Sequence, residues 1–214
     1  MGYAIIAWDG TDKDALDRRM AVRDRHIAVI TRWAEQGRLS LGFPTFRADG
    51  SVAGSIMILG EEDEVGAKEY LQEEPFAREG VWQSYEARPF RIAPLPYQPL
   101  PTSGPTPPRP THSVIIAEDG TDAGALARRM AAREAHMKRV SGLAADGTLA
   151  LGGALLNAKG EMTGSIAITR HPTEEEARAF WAEDPYVQQK VWQKMQYFVT
   201  RFAPLPYKAL PQPA

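Results

Sequence analysis

Apolar residues in the first hundred positions form short runs separated by polar turns, with one long stretch of helical periodicity. The run Tyr3–Trp8 predicts a strand, and the Asp9-Gly10 pair after it is a turn signal. From Asp12, a residue type favoured at helix N-caps, to Gln36 the pattern predicts a helix, and Gly37 stands where a helix is expected to stop. The chain therefore opens with a strand followed by a long helix.

Four further elements complete this half of the chain. They are two strands joined by a hairpin signal at Asp49-Gly50, a second helix that ends before Pro75, and a last strand: Leu39–Phe46, Val52–Leu59, Glu62–Gln72 and Trp82–Ile92. The order is strand, helix, strand, strand, helix, strand, which is the order of a ferredoxin-like domain.

The second half of the chain repeats the first. A shift of 110 positions aligns the halves without a gap, and 41 of the 99 positions from Tyr3 to Pro101 are identical. The Asp9-Gly10-Thr11-Asp12 segment returns as Asp119-Gly120-Thr121-Asp122, and the proline-rich segment after Ile92 returns as well. Two copies of about 100 residues indicate a duplicated domain, since solenoids need more and shorter repeats.

Prolines mark the boundary between the copies. Nine of the 17 prolines fall between Pro89 and Pro110, which favours an extended linker. We predict a first repeat at residues 1–98, a linker at 99–111 and a second repeat at 112–214.

A sheet with both helices on one face needs cover on the other. The predicted fold class is therefore α+β, with two ferredoxin-like repeats packed as an intrachain pseudo-dimeric α/β barrel; further homo-oligomerisation is left open.

The long helix carries polar residues on and beside its apolar stripe. At 100° per residue, the side chains predicted to face the core fall within about 40° of one direction: Leu16, Met20, Ile27, Ile30 and Ala34, and in the second copy Leu126, Met130, Met137, Val140 and Ala144. Arg23 and Arg133 interrupt this stripe. Four further residues lie on one shoulder of it: Arg19, His26, Arg129 and His136. An unpaired buried guanidinium is costly, so the shoulder predicts the wall of a polar cleft. A purely structural role for these residues remains open.

Composition restricts the chemistry further. The 25 Lys and Arg against 27 Asp and Glu give a formal charge of −2, so nucleic acid is not an expected partner. No uncharged apolar stretch approaches the roughly 20 residues of a membrane span, and we expect a cytoplasmic protein without a membrane partner. The absence of cysteine excludes disulfides and thiolate nucleophiles. The four histidines are scattered, so no metal or other cofactor is expected.

Several motifs together resemble the YCII-related family. In the first copy they are Arg18–His26, Gly37-Arg38-Leu39, Gly42-Phe43-Pro44, Gly54-Ser55, Glu74-Pro75-Phe76 and Gly80-Val81-Trp82, and in the second copy Arg128–His136, Gly147-Thr148-Leu149, Gly152-Gly153, Gly164-Ser165 and Asp184-Pro185-Tyr186. The copies cover nearly the whole chain apart from the linker. The resemblance implies a ferredoxin-like domain that pairs into a dimeric α/β barrel, with a histidine–aspartate dyad at its active site.

Carried over to this sequence, the dyad is complete in the second repeat as His136 with Asp184. In the first repeat His26 faces Glu74, whose extra methylene is expected to move the carboxylate. Such a pair performs proton transfer, because a carboxylate orients the imidazole and favours its charged form. The arginines near each histidine, together with the repeated serines, are assigned to hold a small anionic or aromatic substrate: Arg19, Arg23, Arg129, Arg133, Ser55 and Ser165.

One class in the family is similar to 5-chloro-2-hydroxyhydroquinone dehydrochlorinase. The first hypothesis is therefore a cofactor-independent lyase or isomerase that acts on a small aromatic or carboxylic acid through the dyad. Two alternatives remain. One is a module that binds a small molecule or a protein without turnover. The other is a cofactor-free monooxygenase of the dimeric α/β barrel type, which would consume oxygen with a phenolic or quinol substrate.

Overall fold

The computed structural model describes residues 2–60 and 62–213. The chain forms two compact units, and each is assembled from more than one segment. The first unit contains Met1–Phe90, Leu100–Pro107 and Phe202–Ala209, and the second contains Arg91–Pro99, Pro108–Arg201 and Leu210–Ala214. Arg91–Pro99, which ends and follows the last strand of the first repeat, therefore belongs to the second unit, and Phe202–Ala209, which follows the second repeat, belongs to the first.

The first repeat has the predicted ferredoxin-like order. Its elements are β1 (Gly2–Asp9), α1 (Ala15–Glu35), β2 (Leu39–Phe46), β3 (Val52–Leu59), α2 (Glu64–Glu73), α3 (Pro75–Arg78) and β4 (Trp82–Ile92). Strand β1 lies between β3 and β4, and β2 pairs with the other edge of β3, all antiparallel. The central strands β1 and β3 are almost entirely buried, because apolar residues occupy both of their faces.

The second repeat reproduces the first in element order and register. Its elements are β5 (His112–Asp119), α4 (Ala125–Ala145), β6 (Leu149–Leu156), β7 (Met162–Thr169), α5 (Glu174–Ala182), α6 (Pro185–Gln188) and β8 (Trp192–Thr200). Ile116 pairs with Ile166 where Ile6 pairs with Ile56, and the register shifts fall at equivalent places. The predicted α+β class with two ferredoxin-like halves is confirmed.

A short helix follows the second helix of each repeat, where the sequence pattern predicts only a break. Pro75 and Pro185 occupy the first turn of α3 and α6, a position that needs no backbone N–H. The residue before each proline caps the helix, since Glu74 and Asp184 accept hydrogen bonds from the backbone N–H two residues later. This cap fixes both carboxylates in place.

The buried face of the long helix is turned away from the predicted stripe. Leu16 and Met20 are 58% and 57% exposed, and Arg23 is also exposed, so the prediction that they face the core is wrong. The same error holds for three residues of the second repeat: Leu126, Met130 and Arg133. Ile30 and Ala34 of the predicted stripe are buried as expected, and the other side chains that α1 buries lie on the shoulder side: Arg19, Val22, His26 and Trp33. The face turns because Arg19 and His26 find buried carboxylate partners there.

The proline-rich segments are anchored by one tyrosine each. In the second unit the Tyr97 hydroxyl donates to the Gly152 carbonyl at 2.9 Å and accepts from the Gly152 N–H at 3.1 Å. In the first unit Tyr207 makes the same two bonds to Gly42, at 3.1 and 3.3 Å. Both tyrosines are buried, so these bonds fix each segment against the second strand of a repeat.

The turn before the last strand contains one strained residue. Gly80 has φ 70° in the first repeat, whereas the equivalent Lys190 has φ 54°, a conformation that disfavours a Cβ atom. Lys190→Gly should release about 1–2 kcal/mol of strain and lose about 0.5–1 kcal/mol to the chain entropy of glycine. We expect a higher urea midpoint with an unchanged slope. Lys190→Ala is the control because it keeps the Cβ, and equal midpoints for the two variants would contradict the strain.

Candidate functional site

His136 and Asp184, predicted as a pair, are in direct contact. His136 projects from the middle of α4, and Asp184 caps α6, so the two approach from different elements. The distance from His136 Nδ1 to Asp184 Oδ1 is 2.8 Å. Asp184 is fully buried and its Oδ1 also accepts the Tyr186 N–H at 2.9 Å. An ionised carboxylate only accepts hydrogen bonds, so His136 donates through Nδ1–H, and Nε2 is left to exchange a proton.

Aromatic side chains fix the imidazole ring of His136. The ring stacks on Tyr186, with centroids 3.8 Å apart and planes 11° from parallel. Trp192 lies edge-on at 5.7 Å. Burial raises the pKa of the Tyr186 phenol, although Arg129 and Arg133 oppose that rise, so the phenol stays protonated at neutral pH. The ring of His136 is therefore held in one plane by neutral aromatic neighbours.

The first repeat contains the corresponding pair with different support. His26 Nδ1 lies 2.8 Å from Glu74 Oε1, the same separation as in the second repeat. The Tyr70 hydroxyl donates to Glu74 Oε2 at 2.7 Å. In the second repeat phenylalanine stands at the position of Tyr70, and Asp184 Oδ2 has no hydrogen-bond partner among the described residues. The longer glutamate thus reaches its histidine, held by an additional hydroxyl.

Two of the arginines predicted to bind substrate are hydrogen-bonded to buried side chains of the protein instead. Arg129 Nη1 donates to both carboxylate oxygens of Asp119, at 2.8 and 2.9 Å, and Nη2 donates to Ser165 Oγ at 3.0 Å. Arg19 makes the same contacts with Asp9 and Ser55. Burial raises the pKa of the Asp119 carboxyl, and the Arg129 guanidinium opposes that rise. These clusters hold the N-terminal half of each long helix against the sheet.

A cavity of about 280 Å³ lies beside His136 within the second unit. Its lining includes the imidazole, three large aromatic rings and three arginines: His136, Trp181, Tyr186, Trp192, Arg91, Arg129 and Arg133. Within residues 2–60 and 62–213, neither Arg91 nor Arg133 forms an ion pair or hydrogen bond through its side chain. The cavity therefore combines aromatic walls with uncompensated positive charge, which suits a planar anion.

Sequence reasoning missed three of these residues. Asp9 and Asp119 were interpreted only as turn signals, although each recurs ten residues before the arginine that it binds. Arg91 belongs to the segment that precedes the linker, and its recurrence as Arg201 was the available signal. Arg23, the counterpart of Arg133, is exposed and lies 3.8 Å from Asp24.

No helix in the described part of the chain is long and apolar enough to cross a membrane. Among the same residues, no group of three or more His, Asp or Glu side chains is arranged to hold a metal ion.

Comparisons with known proteins agree with the repeat structure. A family model described as the YCII-related domain matches residues 1–91 and 112–202. Protein YciI of Escherichia coli O6:H1 is 28% identical over 97 residues, which cover 42% of this chain and 97% of the relative. That relative therefore has the length of one repeat.

Solved structures give the fold. A putative monooxygenase from Fusobacterium nucleatum covers 94% of this chain and 91% of its own, with a TM-score of 0.59 and 8% identity. At this identity the likeness shows the fold alone, and it confirms the predicted fold class. A dehydrochlorinase from Burkholderia phenoliruptrix, solved with 2,5-dihydroxybenzoquinone, is 23% identical over 40% of this chain and 89% of its own. Its TM-score of 0.35 is too low to support a structural argument.

Proposed function

This chain belongs to the YCII-related family, and we propose that its second repeat is a small-molecule enzyme that transfers protons through His136 and Asp184. The observation that carries the proposal is the 2.8 Å contact between His136 Nδ1 and Asp184 Oδ1 at the wall of a cavity with two unpaired arginines. A histidine in this setting needs no cofactor for acid–base chemistry on a small aromatic or carboxylic acid.

The reaction follows from the roles that each group can take. Arg91 and Arg133 attract and orient a substrate carboxylate or phenolate by charge-assisted hydrogen bonds. Asp184 keeps the proton on Nδ1, so Nε2 of neutral His136 accepts a proton from an acidic C–H or O–H of the substrate. Asp184 then stabilises the imidazolium that forms, and Nε2 returns the proton to a different atom or to a departing group. Isomerisation and elimination both fit this sequence.

The experiment is a panel of phenolic, quinol and aliphatic acids incubated with the full chain in D₂O and followed by NMR. Proton transfer predicts deuterium incorporation, isomerisation or elimination with at least one compound, at equal rates under nitrogen and air. A requirement for oxygen would replace this proposal with a cofactor-free monooxygenase. Binding of panel compounds without any chemical change would replace it with a binding module.

A further inference from the structure

The two repeats differ in side-chain size where the second one holds its cavity. Strands β6 and β7 present small residues to the cavity: Gly153, Ala154 and Ala167. The shift of 110 places larger residues at the same positions of the first repeat: Phe43, Pro44 and Met57. The duplicated sites have thus diverged in volume while both histidine–carboxylate contacts are retained.

The larger side chains of the first repeat are packed inside its unit. Phe43 and Met57 are 3% and 1% exposed. The Phe43 ring packs edge-on against Phe202 with centroids 5.9 Å apart. The second unit has Gly153 and Ile92 at the positions of these two rings, and both line its cavity. An aromatic pair therefore fills the space that the second unit leaves open.

The polar contacts around the two sites also differ. In the first repeat Trp82 Nε1 is buried without a hydrogen-bond partner among the described residues. In the second repeat the equivalent Trp192 donates to Ser165 Oγ at 3.3 Å. The unpaired cations Arg91 and Arg133 line the cavity of the second unit, whereas Arg23, the counterpart of Arg133, lies 3.8 Å from Asp24, so the positive charge favours an anionic ligand at the second site.

We infer that the chain binds one ligand, a planar aromatic carboxylate or phenolate, in the cavity of the second unit, and that Gly153 and Ala167 admit it. The ligand class rests on the proposed function, whereas the stoichiometry rests on the packing difference between the repeats. The first repeat keeps its histidine–carboxylate pair as a buried, stacked contact, since His26 lies 4.0 Å from the Phe76 ring centroid and is 7% exposed.

Calorimetric titration of the full chain with 2,5-dihydroxybenzoate tests the inference. We expect one equivalent per chain, and we expect Gly153→Phe and Ala167→Met each to weaken binding about tenfold or more, because they introduce the side chains that fill the first repeat. The matched control is Ala158→Met in the exposed turn between β6 and β7, which should keep wild-type affinity. Circular dichroism and urea unfolding verify that each variant is folded. If Gly153→Phe does not fold, Ala167→Met alone provides the test.

Two bound equivalents, or wild-type affinity in the folded filling variants, would overturn the single-site inference. Failure of the wild-type chain to bind the probe would overturn the ligand class. Because the readout is binding, its failure is separable from that of the proposed function: a chain that binds one equivalent but turns over no compound contradicts only the enzymatic proposal.

Discussion

Replacing His136 by glutamine is expected to lower kcat/KM for the best substrate of the panel by about 10²–10⁴-fold. Glutamine can still donate a hydrogen bond to Asp184, but it cannot accept and return a proton near neutral pH. The substrate anion would still meet Arg91 and Arg133, so the loss should fall on kcat rather than on KM. Steady-state kinetics of the purified full chain measure both quantities.

The size of the residual rate decides whether the first repeat contributes. If both histidine–carboxylate pairs turned over substrate equally, His136→Gln would retain about half of the wild-type rate, and a retained rate of that size would contradict the assignment to the second repeat. His171→Gln is the matched control, because His171 lies in the turn before α5 and does not line the cavity. It should keep the wild-type kcat/KM.

The fold was predictable because local and long-range signals agree. Short apolar runs bounded by Asp-Gly pairs place the strands within a few residues of where they lie, and the 110-residue shift supplies a second reading of every element. Contact between His136 and Asp184 was reached only through resemblance to a family. Helical periodicity places His136 on a face, but it carries no information about a residue 48 positions away.

The buried face of α1 shows what periodicity misses. Helical periodicity assigns Leu16 and Met20 to the core, because it follows the spacing of apolar side chains and does not register a buried, paired arginine. In the folded chain the N-terminal half of α1 buries Arg19 instead, since Asp9 neutralises the guanidinium and Ser55 accepts from it. A paired charge can thus occupy a core position that an unpaired one cannot.

The cavity was also beyond local pattern. Its walls come from segments distant in sequence, and Arg91 reaches it because residues 91–99 belong to the second unit. The difference in side-chain volume between the repeats was nevertheless visible in the alignment of the copies, in which Phe43 aligns with Gly153 and Met57 aligns with Ala167. Substitutions between duplicated copies become interpretable once the fold shows which of those positions face a common space.

Removing the buried guanidinium in Arg129→Met is expected to lower the free energy of unfolding at pH 7 by about 3–5 kcal/mol. The side chains of Arg129 and Asp119 are each 4% exposed, so the variant leaves the Asp119 carboxyl in the interior without its counter-charge, where at pH 7 it must stay charged or take up a proton, either at a cost in stability. The double variant Asp119→Asn with Arg129→Met should recover part of this loss, because it removes the charge as well. Urea unfolding of the single and double variants measures the coupling.

The loss in Arg129→Met should also depend on pH with a defined sign. Burial already raises the pKa of Asp119, and without Arg129 only the weaker charge effect of Arg128 opposes that rise, so the folded variant keeps the carboxyl protonated over a pH range where the unfolded chain ionises it. The folded state then binds more protons, and its stability falls as the pH rises above about 4, the usual pKa of aspartate. The destabilisation should therefore be smallest near pH 3.5 and largest at pH 7.

The control Arg128→Met removes an equally bidentate contact, to Asp122, that is exposed to solvent, and exposed pairs contribute little. Equal destabilisation by the two variants, or no dependence on pH, would show that burial of the Arg129–Asp119 pair does not stabilise this helix.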